Sequence, residues 1–279
     1  MELTNYGVWT TQRALGSEER LGEAARVAER LGFGAIWLGG SPRLPQTRAL
    51  LEASERIVVA TGIVNVWQYE PALLAREYAQ LSAEFPGRLL LGLGIGHPEA
   101  TSAYERPLAK MRAFLDGLSG APEPVPREAM CLAALGPRML DLAAARTLGA
   151  HPYFTPVAHT RFARGRLGPG PLVAPELAVV LDSDRERARA TARRYAHAYL
   201  RLRNYRSNLL RHGFDEGDVA GDGSDRLLDA VVPQGDAAAL ADAVRQHLDA
   251  GADHVCVQTV GVSGVPEREW GELAGALLG

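Results

Sequence analysis

The stretch IVVATGIVNVWQYEPALLAREYAQLSAEFPGRLLLGLGIGH, residues 57 to 97, holds a complete strand, helix and strand, and its reading decides the fold. IVVATGIVN (57 to 65) is a β-branched run of strand character. Pro71 then opens a helix with Leu74, Tyr78 and Leu81 on one side, and Pro86-Gly87 stops it. RLLLGLGIG (88 to 96) is the next strand. Working outward, the same alternation repeats. NYGVWT (5 to 10) and AIWLGG (35 to 40) come before; AMCLAAL (129 to 135), AHPYFT (150 to 155), ELAVVLD (176 to 182) and DHVCVQTV (253 to 260) come after. Strands separated by amphipathic helices predict a parallel sheet, and eight of them close a (β/α)8 TIM barrel, an α/β fold, as one domain over residues 1–279. Between the seventh and eighth strands, residues 183–250 are too long for one crossover. They contain NYRSNLLRHGF and GDGSDRLLD and predict a helical insertion over one end of the barrel.

Composition narrows the function. The 279 residues are 47% hydrophobic and 23% charged with a net charge of -3, which suits a globular domain and supplies no basic field for nucleic acid or membrane. A small-molecule partner is the better expectation. The only lysine is Lys110, so there is no P-loop, and Schiff-base chemistry would have to fall on that one side chain. Cys131 and Cys256 lie on separate apolar runs and read as buried free thiols of a cytoplasmic protein. No apolar run reaches the roughly 18 to 20 residues that span a bilayer.

Several residues are candidates for chemistry. LGLGIGHPE (91 to 99) lacks the third glycine and the helix start of a dinucleotide fingerprint. Its glycines instead predict close approach of a flat ring to the backbone at the C-terminal end of a barrel strand, where His97 sits where barrel enzymes keep catalytic groups. Gly136 and Pro137 join a strand to a helix N-terminus, whose free N–H groups favour an anion, and Thr155 and Thr160 could add hydroxyls. Trp9, Trp37 and Trp67 near the ends of the first three strands would suit an apolar substrate pocket. Arg201, Arg203, Arg206 and Arg211, around Asn204, Tyr205 and Asn208, read either as a solvated helix face or as a lid over an anionic tail. The seven histidines show no metal-binding spacing, so no metal is expected. Each candidate has a plainer reading: a solvent-facing loop histidine, an ordinary turn, aromatic packing.

The runs ATGIVNVW, EFPGRLLLGLGIGH, LAALGPRMLDLAAARTLGAHPYFTP and LDAGADHVCVQ, in this order, resemble the luciferase-like flavin or deazaflavin oxidoreductases of the luciferase-like monooxygenase superfamily. With NYRSNLLRHGF and GSDRLLD, the pattern is similar to the subgroup that uses coenzyme F420. The resemblance implies a barrel that holds the cofactor ring at its C-terminal mouth, against a non-prolyl cis peptide matching Gly62-Ile63. It implies cofactor contacts from Gly62, Ile63, Asn65, Gly94, Gly96 and His97, a phosphate site at Leu135, Gly136, Pro137, Thr155 and Thr160, and His97 as the acid–base group. Trp9, Trp37, Trp67 and Tyr205 would then face substrate, and a homodimer is expected by the same analogy. The implied reaction is F420-dependent hydride transfer to or from a small organic molecule. FMN-dependent monooxygenation is the alternative, and a non-catalytic flavin- or deazaflavin-binding protein is a third reading. One departure stands out: many members carry an Asp-His or Glu-His pair after the second strand, where this chain has Gly39-Gly40-Ser41-Pro42.

Overall fold

The computed structural model describes residues 3–100 and 104–279. Eight parallel strands form the barrel: β1 (Tyr6–Thr11), β2 (Ala35–Gly39), β3 (Val58–Gly62), β4 (Leu89–Gly94), β5 (Met130–Leu132), β6 (Gly149–Ala150), β7 (Glu176–Leu181) and β8 (Val255–Thr259). Every pairing between them is parallel, as strands returned through helices must be. Closure uses a divided strand. Leu172–Val173 pairs with β6, Pro175 interrupts the ladder, and β7 continues against β8. A bond from the Glu176 N–H to the Pro152 carbonyl at 2.8 Å completes the ring.

The strand boundaries expected from the sequence hold to within a few residues except at β6. Strand character was expected over 150–155, but the ladder covers only Gly149–Ala150. Pro152 has no N–H to give to a ladder, and Phe154 adopts a left-handed φ of 53° that turns the chain away from the sheet. The helix expected at Pro71 spans Pro71–Glu84 and buries Leu74, Ala75 and Leu81 against the sheet. No helix among the described residues is long and apolar enough to cross a membrane.

Side chains outside the barrel wall pack under the helices, while Trp9, Trp37, Ala60, Leu90, Cys131 and Cys256 fill its inside. The insertion begins with helix Arg185–Leu200, whose Ala188, Ala192 and Ala196 form a narrow buried stripe. Helices Arg203–Arg211 and Asp225–Val231 follow, before Gln234–Gly235 adds to β7 and helix Ala237–Asp249 leads back to β8. Both cysteines are buried and free, and burial pushes their thiols up, away from reactivity.

The interior carries polar groups in their neutral forms. Trp37 Nε1 donates to His254 Nε2 at 3.1 Å, and His254 Nδ1 lies 2.6 Å from the Thr4 carbonyl. His151 stacks on Trp37 with ring centroids 4.1 Å apart and donates from Nδ1 to the Ala174 carbonyl at 2.7 Å. Burial lowers His151, His159, His247 and His254 to about 4, and raises the Glu176 carboxyl to about 8. Below the ordinary histidine pKa of about 6.5 the unfolded chain binds the extra protons, so acid destabilises. Above the ordinary carboxyl value the folded chain keeps a proton on Glu176 that the unfolded chain has released, so stability also falls as pH rises towards 8. The melting temperature should therefore decline between about pH 6.5 and 8 in the wild type, and Glu176→Gln should flatten that decline while leaving the acid limb. Thermal melts across this range check it; an equal slope in both proteins would refute the assignment.

Candidate active site

The register places Thr11, Gly39 and Gly62 side by side at the C-terminal end of β1, β2 and β3. The Trp9 indole lies across the two glycines. A Cβ at Gly39 would stand 1.9 Å from Trp9 Cζ2, and one at Gly62 would stand 2.5 Å from Trp9 Nε1. The peptide Gly62-Ile63 is cis, as the resemblance implied. After it, Val64–Asn65 pairs with the end of β4. The displaced chain fits only because β4 lacks side chains there. A Cβ at Gly92 would meet the Thr61 carbonyl oxygen at 1.9 Å, and one at Gly94 would meet Ile63 Cγ1 and Cδ1 at 2.5 Å. Gly92 and Gly94 thus admit the neighbouring strand, a packing role that the sequence pattern did not reveal. Gly96 has a φ of 64° and approaches Asn65 Nδ2. Asn65 is buried and accepts from the Trp67 N–H at 3.0 Å.

His97 follows this bulge and is half-buried. Its Nδ1 lies 3.0 Å from Asn204 Oδ1, and its ring packs 5.2 Å from Tyr205. Because an amide oxygen only accepts, Nδ1 is the donor in this contact, which leaves Nε2 as the ring nitrogen available for proton exchange. Glu99 accepts from the Arg203 N–H at 3.1 Å, so the loop after β4 grips the start of helix Arg203–Arg211 at two adjacent residues.

Among the four aromatics expected to face substrate, Trp9 stands at the mouth against Tyr153, with ring centroids 5.2 Å apart. Trp67 lies on the rim, donates to the Ile95 carbonyl at 2.8 Å, and has Lys110 Nζ 5.1 Å above its ring. Tyr205 roofs the mouth between His97 and Phe154. Trp37 does not fit the expectation. It has no exposed surface, being held inside the barrel by His151 and His254.

The expected anion site divides in the same way. Gly136 precedes helix Pro137–Arg146, and a Cβ there would meet nothing within 4 Å, so the turn borders open space. The Leu135 carbonyl accepts from His159 Nε2 at 3.0 Å. Thr155 is 1% exposed and its hydroxyl has no partner. Thr160 contradicts the expectation: on helix Val157–Leu167 its hydroxyl is 2.8 Å from His247 Nδ1, buried between two helices. His159 Nδ1, both polar atoms of Asn208 and His212 Nε2 are likewise buried without partners. The sequence reading gives His159 and His212 no site role and names Asn208 only among the arginines of its helix, although Tyr205, Asn208 and His212 follow the three- and four-residue spacing of one helix face. The arginines of that helix drew attention instead, and they lie outside: Arg203 and Arg211 are exposed, and Arg206 pairs with Glu216 at 2.7 Å.

A buried polar atom without a partner is costly, so a concentration of them beside two helix N-termini marks a place for a polar ligand. The site as a whole is the C-terminal mouth of a parallel barrel with a group of buried, unpaired polar atoms beside it. Residues 4–254 match the family model described as luciferase-like monooxygenase, and the chain belongs to that family. Among curated proteins it is 30% identical over 122 residues to an F420-dependent glucose-6-phosphate dehydrogenase of Microbacterium testaceum (strain StLB037). That match covers 38% of this chain and 36% of the relative's own length. Among solved structures it resembles an F420-dependent secondary alcohol dehydrogenase in complex with an F420-acetone adduct, with a TM-score of 0.79, 14% identity and 99% of both chains covered. It also resembles the coenzyme F420 dependent tetrahydromethanopterin reductase of Methanopyrus kandleri, with a TM-score of 0.74, 15% identity and 99% of both chains covered. Likeness at these identities is likeness of fold.

The two kinds of glycine separate experimentally. Gly94→Ala should destabilise by about 1 to 3 kcal/mol through overpacking against Ile63, whereas Gly136→Ala should melt within about 0.5 kcal/mol of the wild type. Denaturant titration distinguishes them, and equal losses would contradict the packing described.

Proposed function

We propose that this protein is an oxidoreductase that uses coenzyme F420 to move a hydride to or from a small organic substrate, with His97 as its acid–base group. The observation that carries the reading is His97 held by Asn204 beside the Gly62-Ile63 bulge, at a mouth flanked by unpaired polar atoms of Thr155, His159 and Asn208. The F420-dependent curated relative supports the choice of cofactor. When bound, the deazaflavin supplies a two-electron hydride carrier at its C5 carbon.

The chain's own contribution is orientation, polarity and a proton. Ile63 and Asn65 would support one face of the ring, while Leu135, Gly136, Pro137 and Thr155 would hold its phosphate-bearing side chain. Trp9, Trp67 and Tyr205 would bound the substrate with apolar surface and exclude water. His97 Nδ1–H is tied to Asn204, so the proton would be exchanged at Nε2 with the atom that gains or loses basicity as the hydride moves. With glycine at 39 and 40, no acid–base pair shares this duty after β2. A cytoplasmic location and a homodimer go with this reading, the latter checked by sedimentation.

Oxidised F420 should bind with micromolar or tighter affinity by fluorescence and FMN more weakly. The opposite preference, together with oxygen consumption by reduced FMN, would move the protein to the monooxygenase chemistry. Retained cofactor without turnover on any substrate would leave a binding protein. His97→Ala should lower turnover by about 10²- to 10⁴-fold while leaving the F420 dissociation constant within a few-fold. Equal losses in both would reassign His97 to binding.

A further inference from the structure

The inner face of the insertion helix Arg203–Arg211 continues past the barrel mouth into a second environment. Tyr205 packs on His97 and Phe154. One and two turns on, the same face carries Asn208 and His212, and the His212 ring meets that of His159 edge to face at 5.1 Å. Asn208 is 1% exposed, yet neither its amide oxygen nor its amide nitrogen has a partner. Thr155 and His159 are as deeply buried, and each leaves one polar atom unpaired. His159 donates Nε2–H to the Leu135 carbonyl, so its unpaired Nδ1 is a lone pair.

We propose that Asn208 and His212 close over Thr155 and His159 to anchor the phosphate-bearing side chain of the bound cofactor, and that the histidine pair takes up a proton when the phosphate enters. The inference rests on the cofactor reading above for the identity of the ligand. It explains both the amide left without partners in a buried helix face and the two imidazoles set together. The groups that act on these rings are Arg211 on both, and His212 and His247 on His159. None of them is a carboxylate. In the free protein burial and the Arg211 charge therefore hold both imidazoles neutral, and an anion supplies the counter-charge that is missing. The proton comes from solvent to a ring nitrogen, and no other bond changes.

Calorimetry of oxidised F420 binding in buffers of different ionisation enthalpy, repeated on His159→Gln and His212→Gln, tests the idea, because the ligand's own titration cancels between wild type and variant. The wild type should take up protons relative to both variants and lose affinity more steeply between pH 6 and 8, by up to about tenfold per pH unit. Asn208→Leu should bind F420 at least about tenfold more weakly yet melt at the same or a higher temperature, since it removes an unpaired polar group. A purely structural asparagine would show the reverse, a lower melting temperature with affinity retained. Inorganic sulfate, which does not titrate here, serves as the second probe. If F420 binds with no differential proton uptake, or if Asn208→Leu keeps full affinity, this inference is overturned and the cofactor reading stands. If F420 and FMN both fail to bind while sulfate shows the histidine-dependent uptake, the cofactor reading falls and the anion pocket remains.

Discussion

The mouth of this barrel depends on the absence of Cβ atoms at the tops of three neighbouring strands. Gly39 and Gly62 leave room for the Trp9 indole, and Gly92 and Gly94 leave room for Thr61 and Ile63. The separations involved, 1.9 to 2.5 Å from a Cβ to its nearest neighbour, lie inside van der Waals contact, and at Gly92 that neighbour is the Thr61 backbone oxygen, which no rotamer change moves. Everything placed above inherits this constraint. The displaced segment brings Asn65 under Gly96, and the chain after Gly96 delivers His97 to Asn204. The same packing accounts for the missing acid–base pair: at position 39 the space is taken by an indole.

Beneath the mouth, the barrel manages its polar groups by pairing them or by keeping them neutral. Three tyrosine hydroxyls meet there, with Tyr153 within 2.9 Å of both Tyr195 and Tyr199 and donating to Gln258 at 2.8 Å. Desolvation pushes these phenols up and holds the Glu176 carboxyl in its protonated form at neutral pH. His151 and His254 stay neutral for the same reason and share Trp37 between them. A neutral floor leaves the local field at the mouth to the backbone dipoles, to rim charges such as Lys110 and Glu99, and to whatever ligand enters. Unpaired buried atoms occur in the interior too, singly at His151 Nε2 and Glu176 Oε1, whereas on the insertion helix and the segment beneath it Asn208 leaves both polar atoms unpaired and Thr155, His159 and His212 one each.

The sequence reading succeeded where one local pattern suffices. Periodicity located the strands, and Pro71 and Pro137 stand at the first turns of their helices, where a missing N–H costs nothing. It missed where the deciding partner is distant in the chain. Trp37 reads as a mouth residue from its place near the end of the second strand, but His151 and His254, more than 100 residues away, hold it inside. Thr160 was read with Thr155, but a helix places the two residues on different sides, and His247 claims its hydroxyl. Asn208 and His212 were overshadowed by the arginines beside them, because a basic run shows in composition and an unpaired amide does not.

The sequence by itself determined the eight-fold alternation, the parallel barrel, the long insertion before the last strand and the candidacy of His97, because strand and helix periodicity are properties of neighbouring residues. Only the tertiary structure decided which side chains converge. The contact of His97 with Asn204, the wedge of Trp9 against two glycines and the collection of unpaired polar atoms at the insertion helix all join residues far apart in the chain. Burial and hydrogen-bond satisfaction are properties of the packed molecule, and no local pattern encodes them.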